Sequence, residues 1–333
     1  MMKVSFEELQ NEFHRVLCSR GIDNDIAGLS ARLFAENSRD GVYSHGLNRF
    51  PVIVELIDRG HIQANTRPER VLSLGAFERW NGNLGLGNVT ATRSMERAIE
   101  LSEQFGIGCV SVQHTNHWLR GGTYGWQAAE AGCIGICWTN AIVTMQAWGG
   151  KEHRLGNNPL VLAVPRSEGH VVMDTAMSQF SFGQIQNYRL RGEQLPYDGG
   201  YDAQGRLTKD PAAIEATMNA LPIGYWKGSG LSILLDLMAA TSADGKSSKH
   251  YREQGAEFGV SQVFIALDLK RITDPEQTEK IIAETLDYIH SATPSEPGGR
   301  VTYPGERTLE TRLKNLQEGI PVEESIWNRV KNM

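Results

Sequence analysis

The chain has 333 residues, a length that buries about three quarters of its extended surface on folding and forms a core without metal or disulfide staples. Hydrophobic residues make up 40% of the chain and charged residues 22%, which is ordinary for a soluble globular protein. The formal net charge of -6 at pH 7 argues against an electrostatic binder of nucleic acid or of membrane surfaces.

The N-terminal part of the sequence is predicted to be helical. The opening segment MMKVSFEELQNEF lacks the apolar core of a signal peptide. Apolar residues recur at helical spacing over residues 6–17 and 26–34, and the second helix is expected to end near Asp40 and Gly41. No stretch approaches the roughly 20 apolar residues of a membrane span, so we expect a cytoplasmic protein that does not enter a membrane.

The middle of the sequence alternates between helical patterns and apolar, strand-like runs. The strand-like runs lie at 107–112, 133–138, 159–164, 170–174 and 263–268. The helical patterns lie at 91–104, 126–130, 210–219 and 231–241. Such alternation predicts an α/β fold with a central sheet that is largely parallel or mixed, flanked by N- and C-terminal helical segments.

We predict three segments from this pattern. Residues 1–75 form a helical segment, and residues 76–272 form an α/β region. Residues 273–333 return to helical spacing and are expected to pack back on the first segment.

Several common catalytic and cofactor motifs are absent from the sequence. The partial G-x-G matches at Gly85, Gly106 and Gly228 each lack the third glycine of a dinucleotide fingerprint, which argues against an ordinary Rossmann domain. There is no G-x-S-x-G nucleophile elbow. His114 and His117 have the spacing of a metal pair, but no further ligand lies at matching spacing, so no metal site is predicted.

The segment GVYSHGLNRF at 41–50 concentrates polar side chains between glycines. A histidine such as His45 can give or take a proton near neutral pH, and Arg49 offers a planar fork suited to a carboxylate. In a single helix the two would point the same way, although Pro51 can instead mark a helix start. The alternative is a loop whose polar side chains cap the next helix.

Seven segments, taken together and in order, resemble the type 2 malate/L-lactate dehydrogenase family. They are YSHGLNRFP, NHWLRGGTYG, IGICWTNA, WGGKEHRLGNNPL, MDTAMSQFSFG, LPIGYWKGSGLS and YPGE. The resemblance runs along nearly the whole chain. It implies an NAD(P)-dependent oxidoreductase acting on CH-OH or carbonyl groups. Its dinucleotide-binding fold would not be of the Rossmann type, and the α/β region at 76–272 would bind the cofactor.

Within this family the sequence is most similar to a branch that uses NADH, rather than NADPH, to reduce a sugar-derived keto acid. The resemblance implies reduction of 2,3-diketo-L-gulonate to 3-keto-L-gulonate, in carbohydrate catabolism, by a cytoplasmic homodimer. Asn157, Gln184 and Trp226 depart from the pattern of the wider family. The departures at Gln184 and Trp226 fit this branch.

The resemblance also implies roles for three polar residues. His45 is the acid that protonates the carbonyl oxygen as hydride arrives at carbon, because an alkoxide is too basic to stand unpaired in a dry site. Arg49 holds the substrate carboxylate. His117 is a second polar contact or, alternatively, the acid itself.

By resemblance the cofactor contacts lie in three stretches. They are His170, Val171, Val172, Met173, Asp174, Thr175 and Ala176; Trp226 and Lys227; and Gly305, Glu306 and Arg307. Asp174 either accepts a hydrogen bond from a ribose hydroxyl or is the N-cap of the helix that follows it. Lys227 is expected at a phosphate, and backbone amides at a helix start near Gly305 suit a pyrophosphate.

Two other functions remain open at this point. One is reduction of another 2-keto acid, or of a cyclic imine acid, by a member of the same family. The other is non-catalytic binding of a sugar acid on the same fold. The pair of His45 and Arg49 argues against a binder, because a binder needs the arginine but no proton donor.

Overall fold

A computed structural model of the chain describes residues 2–333. The strands are β1 (Met2–Val4), β2 (Glu69–Leu74), β3 (Phe77–Asn81), β4 (Ile107–Thr115), β5 (Cys133–Thr139), β6 (Val143–Gln146), β7 (His153–Gly156), β8 (Leu160–Val164), β9 (Val171–Thr175), β10 (Gly200–Tyr201), β11 (Leu207–Thr208), β12 (Val260–Asp268) and β13 (Ile320–Val322).

The helices are α1 (Phe6–Cys18), α2 (Asn24–Arg39), α3 (Phe50–Asp58), α4 (Gly87–Phe105), α5 (Gly122–Glu130), α6 (Phe182–Leu190), α7 (Pro211–Thr217), α8 (Trp226–Ala243), α9 (Ser248–Gln254), α10 (Leu269–Ile272), α11 (Pro275–His290), α12 (Glu306–Glu318) and α13 (Glu324–Lys331). A 3-10 turn lies at Tyr43–His45. In the described part of the chain, no helix is both long and apolar enough to cross a membrane.

Seven strands form the central sheet, in the order β2-β3-β4-β12-β5-β8-β9. Its one parallel pair within residues 2–333 is β3 with β4, and the other neighbours are antiparallel. Helix α4 supplies the crossover that a parallel pair needs, whereas β8 and β9 are joined by a short turn that permits only antiparallel pairing. The predicted α/β class with flanking helices is confirmed, and the sheet is mixed rather than largely parallel.

Helices cover both faces of this sheet, which explains why its strands read as apolar runs. Alternate strand residues, such as Val110 and Phe264, pack with α4 and α5 on one face. The intervening residues, such as Val263, pack against α8 on the other face. Glycine is required at position 108, where α4 meets the sheet, because a Cβ on Gly108 would lie 2.0 Å from the carbonyl oxygen of Ala98.

The helix predicted at 231–241 begins earlier than expected, at Trp226. The prediction missed its first turn because Gly228 and Gly230 disfavour helix on intrinsic propensity. Packing overrides that preference, since a Cβ on Gly228 would lie 2.3 Å from the carbonyl oxygen of Ile223. The earlier start puts Trp226 and Lys227 in the first turn of α8.

The two ends of the chain meet in a second core. Strand β1 pairs antiparallel with β13. The rings of Phe13 and Phe50 have centroids 4.4 Å apart, and Phe34 meets Phe50 edge-on at 5.0 Å. These rings share a buried cluster with Trp327 of α13, and their burial holds α1, α2 and α3 against it. The division into segments at 75 and 272 stays a prediction, and the β2–β3 hairpin crosses the first of these boundaries.

A buried carboxylate, that of Asp40, ties together three separate parts of the chain. Its side chain lies just after α2 and is 2% exposed. Arg120 donates to Oδ2 at 2.6 Å, and Arg39 donates to Oδ1 at 2.8 Å. Arg312 of α12 donates to both oxygens, at 2.9 and 2.8 Å. Burial alone would raise the pKa of Asp40, but these three arginines outweigh it and lower the pKa to about 2.

We expect Asp40→Asn to lower the free energy of unfolding by about 3–5 kcal/mol, because three arginines lose their shared buried counter-charge. Urea unfolding followed by tryptophan fluorescence measures the change. Asp25→Asn is the matched control: Asp25 lies on the surface in the first turn of α2 and pairs with Arg67 in solvent, where an ion pair contributes little. Equal unfolding curves for the two variants would contradict this role of Asp40.

Candidate active site

The turn between α2 and α3 holds His45 and Arg49. The two residues do not share a helix, because Pro51 lies in the first turn of α3 and the helix starts only after Arg49. The side chain of Asn37 donates to the carbonyl oxygen of His45 at 2.9 Å and anchors the turn to α2. No side chain caps the start of α3, so the alternative interpretation of this segment as a capping loop is wrong.

The rings of His45 and His117 lie together, with centroids 5.6 Å apart and planes inclined by 23°. Nδ1 of His45 is 3.0 Å from the hydroxyl of Ser44, and Nδ1 of His117 accepts the backbone N–H of Leu119 at 2.9 Å. The proton of a neutral His117 is therefore on Nε2. Nε2 of each ring is left for a bound molecule. Within residues 2–333 no three His, Cys, Asp or Glu side chains are grouped as metal ligands.

Two charged side chains, Arg49 and Glu257, face this histidine pair. Nε of Arg49 is buried without a hydrogen-bond partner in the described part of the chain, so the guanidinium is available to a bound carboxylate. Oε1 of Glu257, from the loop between α9 and β12, lies 3.9 Å from Nε2 of His117. The charge of Arg49 lowers the pKa of both His117 and Glu257.

Glu257 is a residue of this site that the sequence did not predict. Its Oε2 accepts the backbone N–H of Ile142 at 3.0 Å, across 115 residues of sequence. The stretch around it, GAEFG, matches no catalytic motif. A single acidic residue in a glycine-flanked loop does not predict a function from sequence, because the groups it contacts are brought close only by the fold.

Burial lowers the pKa of both histidines. For His45, burial is the largest cause, repulsion from a protonated His117 and from Arg49 adds to it, and the pKa falls to about 3. For His117, burial and then the charge of Arg49 lower the pKa to about 3 as well. Both rings are thus neutral at pH 7 while Arg49 holds no anion. An anion at Arg49 would remove one cause of these shifts and raise both pKa values.

Two of the three stretches matched to cofactor contacts adjoin each other at β9, the edge strand of the sheet, and the third begins near the end of that strand. The N–H of Val172 donates to the carbonyl oxygen of Pro304 at 2.9 Å, so the turn before α12 lies against β9. Just beyond β9, the N–H of Ile223 donates to the carbonyl oxygen of Met177 at 2.9 Å, which brings the start of α8 close. We call this surface, made of residues 170–176, 226–227 and 305–307, the cofactor strip.

Asp174 holds the start of a helix other than the one expected. Its Oδ2 accepts the N–H of Gly122 at 2.7 Å, at the first turn of α5. The interpretation of Asp174 as the N-cap of the following helix is wrong, because Ser181 caps α6. The protein atoms packed around the carboxyl raise the pKa of Asp174, against the opposing effects of the Gly122 N–H and the charge of Arg120. Oδ1 is left as a free acceptor on the cofactor strip.

The cofactor strip fits a dinucleotide. Gly305 has a φ of 101°, and a Cβ there would lie 2.8 Å from the carbonyl oxygen of His170, so only glycine lets the turn approach the strand. Arg307, in the first turn of α12, is exposed and has no ion pair among residues 2–333, so it is available to a phosphate. Glu306 instead accepts a backbone N–H of its own turn at 3.1 Å. Trp226 is 64% exposed and offers a ring face.

Comparison with known proteins identifies an oxidoreductase of the dehydrogenase class. The sequence model of the malate/L-lactate dehydrogenase family matches residues 4–331, and the chain belongs to this family. It is 45% identical over 331 residues to 2,3-diketo-L-gulonate reductase of Escherichia coli O1:K1 / APEC, with 99% of each protein covered. The resemblance inferred from the sequence is confirmed.

Two solved structures of dehydrogenases share the fold. Malate dehydrogenase from Entamoeba histolytica matches with a TM-score of 0.94 and 25% identity, covering 99% of this chain and 96% of that one. Sulfolactate dehydrogenase from Methanocaldococcus jannaschii matches with a TM-score of 0.89 and 27% identity, covering 99% and 96%. The protein is thus an oxidoreductase acting on hydroxyl or carbonyl groups, and its family supports a nicotinamide cofactor.

The lowered pKa values predict how stability depends on pH. The pKa of His45 and of His117 is about 3 in the folded protein and about 6.5 in the unfolded chain. Between these two pH values the unfolded chain binds protons at both rings that the folded protein does not bind, so the free energy of unfolding rises with pH. As pH falls below about 6.5, the free energy of unfolding decreases by up to about 1.4 kcal/mol per pH unit for each ring. Urea unfolding of wild type and His45→Gln from about pH 5 to 8 should give a shallower acid limb for the variant. Curves that stay parallel over the whole range would contradict the shift.

Proposed function

We propose that this protein is an NADH-dependent reductase that converts 2,3-diketo-L-gulonate to 3-keto-L-gulonate. The observation that carries the proposal is the grouping of His45, His117 and Arg49 beside a strip that fits a dinucleotide. The 45% identity to 2,3-diketo-L-gulonate reductases, over nearly the full length, supports this substrate over the other acids that the family reduces. A fold alone would not distinguish among them.

NADH, rather than NADPH, is the proposed cofactor, and when bound it supplies the hydride. The cofactor strip would hold it, with the exposed cations of Lys227 and Arg307 available to its phosphates. The free oxygen of Asp174 is an acceptor for a ribose hydroxyl. A carboxylate in that position favours NADH, because it would repel the additional phosphate of NADPH.

Arg49 anchors the substrate by its carboxylate. Its planar guanidinium, whose Nε is buried and unpaired among residues 2–333, matches a carboxylate with two parallel hydrogen bonds. The bound carboxylate also cancels the charge that helps to lower the pKa of His45. Substrate binding and protonation of His45 are therefore coupled.

His45 donates the proton that the reduced carbonyl oxygen needs. The hydroxyl of Ser44 at Nδ1 orients the ring, so Nε2 is the donor atom. His117, with its proton on Nε2, donates a hydrogen bond to the same oxygen and stabilises the charge that develops there. The alternative assignment, in which His117 is the acid, uses the same two rings in exchanged roles.

The protein should oxidise NADH faster with 2,3-diketo-L-gulonate than with simple 2-keto acids or a cyclic imine acid. With 2,3-diketo-L-gulonate it should oxidise NADH faster than NADPH.

His45→Gln should lower kcat by about 10²–10⁴-fold, as removal of a positioned acid does, with NADH affinity little changed. Arg49→Lys should instead raise KM, because lysine keeps the charge but loses the planar fork. Absorbance of NADH follows turnover, and its fluorescence follows binding.

Two outcomes count against this proposal. If His45→Gln keeps more than about a tenth of the wild-type kcat, His45 is not the acid, and His117→Gln becomes the variant to compare. If the protein binds NADH but oxidises it with none of the keto acids, it is a non-catalytic binder.

We also propose that the protein is a homodimer and works in the cytoplasm, where NADH is regenerated. Helix α8 exposes apolar side chains on the face turned away from the sheet; they are Leu231, Ile233, Leu234, Leu237 and Met238. A contiguous apolar face of this kind marks a protein interface. The first turn of α8 belongs to the cofactor strip, so a second copy seated on this face would lie next to the cofactor.

Leu234→Glu should convert the dimer to a monomer of 36.9 kDa and weaken NADH binding, because an apolar interface cannot bury an unpaired charge. Sedimentation at micromolar concentration measures the mass. Leu74→Glu, at a comparably exposed leucine of β2, is the matched control and should leave the dimer intact. A wild-type monomer with full activity would exclude the homodimer.

A further inference from the structure

Glu257 is a charged group in the candidate active site that the proposed reaction does not use. Its side chain is 21% exposed. Oε2 accepts the N–H of Ile142, whereas Oε1 has no hydrogen bond among residues 2–333 and lies 3.9 Å from Nε2 of His117. Reduction needs a proton donor and a carboxylate anchor, which His45 and Arg49 provide. Glu257 therefore presents one free acceptor oxygen to the space where the substrate binds.

The surrounding protein leaves this carboxyl group incompletely satisfied. In the described part of the chain, its one partner within ion-pair distance is the neutral ring of His117. Burial raises the pKa of Glu257, and the N–H of Ile142 and the more distant charge of Arg49 only partly oppose it. A partly buried carboxyl group without a close cation is costly, and such groups cluster at functional sites. A hydrogen-bond donor from the ligand would complete its shell.

The chemistry of the site narrows the choice of donor. A second carboxylate beside Oε1 is excluded by repulsion, and the carboxylate of the substrate belongs on Arg49. A hydroxyl group is a neutral donor, and a polyhydroxylated keto acid carries such groups along its carbon chain. A simple keto acid such as 2-oxohexanoate has only C–H groups there and would leave Oε1 unpaired.

We propose that Glu257 is a specificity-determining residue: its free oxygen accepts a hydrogen bond from a substrate hydroxyl, so the site selects polyhydroxylated keto acids over those with an unsubstituted chain. This inference rests on the proposed reductase function and adds the feature of the substrate that is recognised. Sites built to bind a hydroxyl reject analogues without one strongly, because the buried polar group of the protein is then left unpaired.

The test compares wild type with Glu257→Gln, using 2,3-diketo-L-gulonate and 2-oxohexanoate at saturating NADH. The variant should lose roughly 10- to 100-fold in kcat/KM for the hydroxylated substrate, mainly through KM, as expected when a hydrogen bond to a charged group is lost. Its kcat/KM for 2-oxohexanoate and the pH profile should change little. Glu253→Gln is the matched control, because Glu253 is an exposed residue of α9 that pairs with Lys249 in solvent, and it should leave both substrates unaffected.

Unchanged NADH affinity will show that Glu257→Gln is folded. Glu257→Asp, which keeps the charge but withdraws the oxygen by one methylene, is the second variant and should show the same selective loss. Equal loss for both substrates with a shifted pH profile would overturn the inference and make Glu257 a positioning residue for His117. No loss for either substrate, or a larger loss for a cyclic imine acid, would overturn it as well.

Failure of the proposed function is distinguishable from failure of this inference. If wild type reduces neither keto acid, the reductase proposal fails, and calorimetric binding of L-gulonate and hexanoate to the NADH-bound protein decides the role of Glu257. Wild type should prefer L-gulonate, and Glu257→Gln should lose that preference. A wild type without the preference, or a variant that retains it, would overturn the inference.

Discussion

One buried carboxylate, that of Asp40, connects three of the segments around the candidate site. Its arginine partners come from α2, from the loop at 117–122 and from α12. Arg312, one of these partners, also lies over the ring of Trp126 in α5, 4.4 Å from the ring centroid. A buried ion network contributes less net stability than an apolar core of equal volume, yet removing any member leaves an uncompensated charge. We interpret its main effect as fixing where the loop at 117–122 lies.

The position of that loop matters because it carries groups of the site at both ends. His117 at its start faces His45, and Gly122 at its end binds Asp174 of the cofactor strip. Hydride and proton arrive at two atoms of one carbonyl group, so their sources must be held in a fixed relation, and a misplacement of about 1 Å costs rate heavily. In the proposed reaction, the ion network around Asp40 would therefore help to set the distance between the histidine pair and the cofactor.

The sequence predicted the elements whose burial leaves a strong period, such as α4 and the apolar strands. Strand direction was not predictable, because apolar runs look alike in parallel and antiparallel sheets that are covered on both faces. His45 and Arg49 were recognised from the polar residues of their segment. The single helix that would have aligned them does not form, because α3 starts only after Arg49, with Pro51 in its first turn. Glu257 and the contact of Asp174 with α5 were beyond sequence reasoning, because each depends on a backbone N–H far along the chain, 115 residues away for Glu257 and 52 for Asp174.

In the proposed reaction, the acid strength of His45 depends on whether the substrate carboxylate is bound. Burial and the charge of Arg49 keep both histidines neutral, and a bound carboxylate removes the second of these causes. The same carboxylate would neutralise Arg49, whose charge also lowers the pKa of Glu257. The ionised form of Glu257 would then need another source of stabilisation. A hydroxyl donor supplies it. Under the two proposals, a keto acid without hydroxyls would bring the carboxylate that raises the pKa of His45 but not the hydrogen bond that Glu257 needs. The acidity of His45 and the selectivity of the site would then depend on different ends of the same substrate.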